Sequence, residues 1–244
     1  MKRSCYLAFA AVLVIWSPCH AGLLDDFSRD ILPPSKQQSS LDNTVIVKGL
    51  KEALATGTEK AVTAVSRPDG YFRNQLIKIL LPARIQQVAD VAAKIGFQQQ
   101  VDTFVLSMNR AAEKAAPQAA RYFGNAIRQM TVDDARQILN GGDTAATVFF
   151  EKKTRAQLFE AFKPSVGTAM NQAGTARAYK ELIGKYEATP LAAFSGKPSL
   201  DLDEYVTNKA LDGLFLMVAE EEKKIRKDPA ARTTALLRRV FGGT

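Results

Sequence analysis

The chain has 244 residues, with 33 lysines and arginines against 25 acidic side chains and a formal net charge of +8. Apolar residues make up 46% of it, enough for a sizeable core, and no apolar stretch reaches the roughly 20 residues that cross a bilayer. Cys5, Cys19 and His20 are its only cysteines and histidine, and all fall near the N-terminus, which restricts the chemistry open to the rest of the chain.

The N-terminus reads as an export signal. Lys2 and Arg3 precede an apolar run from Tyr6 to Trp16, closed by Ser17 and Pro18, and Cys19-His20-Ala21 places small residues at −3 and −1 before Gly22. Residues 1–21 are therefore expected to be a signal peptide cleaved after Ala21, with the mature protein in the periplasm. Acylation at Cys19 is the competing route, and Trp16-Ser17-Pro18 match its leucine and small-residue preference poorly. Cleavage removes both cysteines, the histidine and Trp16, leaving 31 basic and 25 acidic side chains. Such a chain forms no disulfides and lacks the ligands of the usual zinc, haem and iron–sulfur centres. Ser–His–Asp and Cys–His machinery is equally excluded. No cofactor is expected, and any catalysis would rest on carboxylates, Lys, Tyr or Ser.

The positive charge is uneven. Residues 44–128 carry 12 basic and 6 acidic side chains, whereas 129–219 carry 10 and 11. A basic half suits anionic lipid or glycan, and equally a solvated face. Nucleic acid is disfavoured by the export signal and by the lack of aromatic-basic alternation.

Residues 22–43, with Pro33-Pro34 and a Gln/Ser stretch, read as a loosely held arm and linker. From 44 to 244 the pattern is that of an all-α domain. Val47, Leu50 and Leu54 begin one apolar face and Val62 and Val65 continue it. In "SRPDGYFRNQLIKILLP", Ser66 and Asp69 read as caps at a helix–helix corner. Phe72, Leu76, Ile79 and Leu80 then fall at i, i+4, i+7 and i+8, an inward face, with Tyr71, Arg73, Asn74 and Lys78 exposed at the mouth of a cleft. Pro82 opens the next helix, with Ile85, Val88, Val91 and Ile95 on one side and Gly96 as its stop. Val101, Phe104, Val105, Met108, Ala112 and Ala115 form the following stripe, ending before Pro117.

Thr131 to Asp134 and Thr154 to Gln157 each resemble a capping box. Gly141-Gly142 is expected to end one helix and Asp143 to cap the next. The glycine pair lacks the further glycines and the Lys of a phosphate loop, and Asp143 would repel an anion. A helix over Thr175–Tyr186 leads into a connecting loop, "EATPLAAFSGKPSLD". Leu202 to Ala219 then carries the strongest helical signal, apolar on nearly every side from Ala210 onward. That places it as the buried central helix of a single compact multi-helix domain. Glu220–Lys224 and Glu222–Arg226 are spaced for ion pairing, and Asp228-Pro229 stops the helix. A basic terminal helix, Ala230 to Phe241, closes the chain.

Several stretches together carry a resemblance. "SMNRAAEKAAP", "MTVDDARQILNGGDTAATVFFEKKT" and "YVTNKALDGLFLMVAEEEKKIRKDP", with "DGYFRN" and "LLRRVFG", resemble a bacterial family known as a domain of unknown function, the 4197 family. The resemblance spans roughly Lys48 to Gly242. It implies an exported, mostly helical protein and implies no activity.

Polar residues on the strongest helices are the candidate site. Tyr205, Lys209 and Asp212 share one helix face, and Asn109 and Glu113 share another, with Arg110 beside them. If the two faces meet, they form a charged pocket in a helical bundle. The alternative is that Lys209–Asp212 and Arg110–Glu113 are ion pairs on solvated faces. Tyr71 and Arg73 complete the ligand-binding set. No catalytic or metal-binding residue is assigned. The acids at 133–134, 201–204 and 220–222 suit capping and surface pairing, although two acids across a cleft would also suit glycoside hydrolysis. The leading reading is an exported, non-catalytic envelope protein that binds a partner protein or an apolar or anionic ligand in a helical cleft. A carboxylate-dependent hydrolase of cell-wall glycan and a structural part of an envelope assembly are the alternatives.

Overall fold

Residues 43–172, 174–187 and 201–242 are described by the computed structural model, and among them every regular element is helical. In chain order these are α1 (Asn43–Ser66), α2 (Ala83–Ala92), α3 (Gln98–Ala115), α4 (Ala119–Gln129) and α5 (Val132–Asn140). There follow α6 (Ala145–Gln172), α7 (Thr175–Glu187), α8 (Leu202–Lys227) and α9 (Ala235–Phe241). The signal peptide and arm expected over 1–42, and most of the loop expected over 187–201, lie outside the described residues.

The expected all-α architecture around a buried C-terminal-region helix is what forms. α8 packs against α6, α1 and α3 and buries Val206, Ala210, Leu211, Leu214, Phe215, Val218 and Ile225. Phe215 and Phe150 both pack on Phe123, with ring centroids 6.0 and 5.2 Å apart, so one aromatic cluster joins α8, α6 and α4. Asp201 opens α8 by accepting the Glu204 N–H at 2.9 Å, and Asp228 with Pro229 closes it. Between α2 and α3 the chain makes a π turn over Ala93–Phe97. Gly96 there has φ +96°, a conformation that glycine adopts without steric cost.

Two capping expectations are corrected. Thr154 lies inside α6, and its hydroxyl donates to the Phe150 carbonyl at 2.7 Å, a bond made within one helix. The N-terminus of α6 is capped from another helix. The buried Glu222 carboxylate of α8 accepts the backbone N–H of Ala146 at 2.9 Å and of Thr147 at 2.8 Å, and the Thr147 hydroxyl at 2.9 Å. Arg226 pairs with Glu222 at 3.0 Å and donates to the Ile138 carbonyl at 2.7 Å. The end of α5 and the start of α6 are thereby tied to α8. Asp143 instead forms an ion pair with Lys227. The Ala146 and Thr147 N–H groups at the start of α6 are thus occupied, and the Gly141 N–H donates to the Ile138 carbonyl, which leaves fewer donors for an anion there.

The terminal helix also differs from expectation. Pro229–Ala231 is a 3₁₀ turn, and α9 begins only after Thr234, whose hydroxyl accepts the Leu237 N–H at 3.1 Å. The Glu220 carboxylate pairs with Lys223 rather than Lys224, while Glu222–Arg226 forms as the spacing predicts.

Removing one member of a buried ion pair strands the other. Glu222→Ala is expected to destabilise the fold by about 3–5 kcal/mol in urea titrations. The capping box at Thr131 makes a second, pH-dependent prediction. Hydrogen bonds from the Thr131 backbone and side chain hold the Asp134 carboxyl below its ordinary range. A depressed folded pKa contributes stability above the ordinary carboxyl value of about 3.9 and loses it as pH falls through the folded value. Thr131→Ala should therefore cost about 1 kcal/mol at neutral pH. That difference should shrink in denaturation curves recorded in increasingly acidic buffer.

Candidate functional site

Between α1 and α2 the chain runs through residues 67–82 without forming a helix, which corrects the inward face expected over Phe72–Leu80. Short turns, the last of them from Asn74 to Lys78 and taking in exposed Leu76 and buried Ile77, lead into a run in which Ile79 and Leu81 are buried while Leu80 is exposed, the alternation of extended backbone. Two constraints produce it. Pro82 disfavours the helical region for Leu81. The buried amide of Asn109 on α3 then accepts the Ile79 N–H at 2.8 Å and donates to the Ile79 carbonyl at 2.9 Å. One asparagine side chain replaces a neighbouring strand.

The start of this strap is fastened to the same helix. Glu113, also buried, accepts the backbone N–H groups of Tyr71 at 3.1 Å and Phe72 at 3.2 Å. Arg110 bridges Glu113 at 2.7 Å and Asp69 at 2.6 Å. Asp69 itself adopts φ +67°, a left-handed conformation that Asp tolerates better than most residues. The Tyr71 side chain is fully buried, which corrects its expected place at a cleft mouth, and its hydroxyl donates to the Ala210 carbonyl of α8 at 2.7 Å. Burial drives its phenol well above the ordinary range, so it remains a donor. Gly213 of α8 permits this contact. A β-carbon there would lie 2.8 Å from the Tyr71 ring and 3.0 Å from the β-carbon of Ile77.

The two predicted polar faces do not meet, because the strap lies between them. Asn109, Arg110 and Glu113 hold its inner side, whereas Tyr205, Lys209 and Asp212 line a groove on its outer side. Tyr205 donates to the Leu80 carbonyl at 2.8 Å. The groove, about 340 Å³, runs between Leu76–Leu80 and α8 as far as Gly213 and Leu216. Arg73 points elsewhere, 79% exposed and 3.0 Å from Asp69. The ion pairs weighed as alternatives also form, Arg110–Glu113 at 2.7 Å and Lys209–Asp212 at 3.7 Å. Leu76, Leu80 and Leu216 were not expected at a site. Period-2 reading of Ile77, Ile79 and Leu81 ahead of Pro82 would have turned the first two outward.

Electrostatically the groove is cationic. Its Asp212 is held by Arg155 at 2.5 Å, while Lys78 lies 4.5 Å from the Phe72 ring centroid and makes no ion pair among the described residues. The acid clusters are otherwise engaged. Asp134 and Asp201 cap helices, and Glu220 and Glu221 pair with Lys223 and Lys224. Among the described residues no three His, Cys, Asp or Glu gather as a metal site, and no helix is long and apolar enough to cross a membrane.

Asn109→Ala leaves both polar groups of Ile79 unpaired in the interior and should cost about 2–4 kcal/mol in chemical denaturation. Amide exchange at Ile79 should accelerate more than at α6. Gly213→Ala should cost about 1–3 kcal/mol through overpacking against Tyr71 and Ile77.

Neither the curated proteins nor the solved structures contain a match to this chain. A family model does match, over residues 40–242, which takes in α1 to α9 and with them the strap and the groove. The chain therefore belongs to the family described as Protein of unknown function (DUF4197), in agreement with the resemblance carried by its helical segments.

Proposed function

We propose that this is an exported, non-enzymatic binding protein of the bacterial envelope, whose groove between Leu76–Leu80 and α8 holds an apolar ligand bearing an anionic group. The observation that carries the reading is the composition of the groove. Leu76, Leu80 and Leu216 are 69%, 59% and 38% exposed around a concavity that also presents Lys78 and Lys209. Apolar side chains gathered at a concave surface mark binding sites. The carboxylate in the lining, Asp212, is tied to Arg155, so the net charge facing a ligand is positive. The groove lining has one carboxylate where glycoside hydrolysis uses two, which favours binding over the hydrolase reading. Export rests on Lys2, Arg3, the apolar run to Trp16 and the small residues before Gly22.

The anionic apolar dye anilinonaphthalene sulfonate tests the groove. It is expected to bind the folded protein with one site, and Leu216→Asp and Lys209→Glu should each weaken it about tenfold or more. A dye that does not bind, or that ignores both substitutions, overturns the reading. Export has its own check. Protein recovered from the periplasm should begin at Gly22 by intact mass, and retention in the cytoplasm with Met1 intact would contradict it.

A further inference from the structure

Resting on the groove reading above, we infer that the occupant of the groove is an extended peptide segment of a partner protein, paired with the strap through its backbone. Asn109 sets the geometry of the strap. Its amide takes the Ile79 N–H and the Ile79 carbonyl on one side of the strap. In a planar trans peptide the carbonyl and the following N–H point in opposite directions. The Lys78 carbonyl, bonded to the Ile79 nitrogen, therefore points away from Asn109, and so does the Leu80 N–H. Neither group has a hydrogen-bond partner among the described residues, and both residues line the groove. The next group along, the Leu80 carbonyl, is already taken by Tyr205.

A carbonyl and an N–H two residues apart, free on the same edge, are the pattern by which one strand receives a single residue of a parallel neighbour. That residue donates its N–H to the Lys78 carbonyl and accepts the Leu80 N–H with its own carbonyl. Edge pairing of this kind is a recurring mode of peptide recognition. It also fixes the side chains. In a parallel pair, the residue before the paired one lies beside Lys78 and the one after it beside Leu80. The chemistry recognised is thus acidic, any residue, apolar, in that order from N to C. Lys78, which makes no ion pair among the described residues, supplies the complement for the acid, and Leu76, Leu80 and Leu216 for the apolar residue. A lipid tail would use the leucines and leave both backbone groups unpaired.

Displacement of bound anilinonaphthalene sulfonate by capped heptapeptides decides the matter. Thr-Thr-Asp-Val-Leu-Thr-Thr is expected to compete, and the reversed Thr-Thr-Leu-Val-Asp-Thr-Thr to compete less well. N-methylation of the central Val removes the donor to Lys78 and should weaken the first peptide about fivefold. Leu80→Pro removes the acceptor-facing N–H while suiting an extended Ile79, and should weaken the peptide similarly relative to Leu80→Val, each competition being corrected for that variant's own dye affinity. Equal competition by both peptides, or indifference to N-methylation, overturns the inference. Displacement by dodecanoate but by neither peptide also overturns it and leaves the groove reading standing. Absence of dye binding overturns both.

Discussion

A single buried amide decides the shape of the groove. Asn109 sits inside the helical core with no exposure, and both its polar ends bond Ile79, the amide nitrogen also donating to the Val105 carbonyl. A non-helical segment crossing the interior would otherwise carry unpaired backbone groups, at a cost of a few kcal/mol each. With Asn109 in place the extended run can be buried on one side. Its other side is then turned outward, and that outward edge with α8 is the groove. Glu113 and Arg110 extend the same arrangement to the start of the strap, so α3 acts as its template.

Glu222 applies the same principle at the opposite end of α8. A carboxylate from the central helix satisfies the first N–H groups of α6, while its partner Arg226 satisfies the last turn of α5. Both sites couple neighbouring elements through polar groups that are buried and fully paired. Packing supplies most of the burial, as expected where the described residues hold no cysteine, and these ties specify how the helices enter and leave the core. Tyr71 adds a third, reaching from the strap through to the Ala210 carbonyl.

The helices themselves were legible because apolar residues recur at helical spacing. Leu202 to Ala219 announced its burial, Thr131–Asp134 its cap and Gly96 its break. The strap was not legible in the same way. "QLIKILLP" has a nearly continuous apolar run, which fits a helix face as well as an alternating strand, and the choice depends on Asn109, thirty residues away. The cap of α6 likewise depends on Glu222, which a local reading assigns to Arg226 alone. Tyr205, Lys209 and Asp212 were rightly placed on one face. Asn109 and Glu113 were also paired correctly, but their partner is backbone rather than a second charged face.

The alternation of the strap has a consequence for its length. Each side chain from Lys78 to Leu81 is turned toward the core or toward the groove by parity. An insertion or deletion of one residue here would send Leu80 inward and Ile79 outward, and would offer Asn109 the wrong peptide group. Two residues would restore parity, and with Tyr71 and Phe72 held by Glu113 and Ile79 held by Asn109 the added length falls to the exposed turns between them. The stretch from Ile79 to Pro82 is therefore a fixed-length element, and variation in chain length among proteins built this way belongs in their turns and other connections.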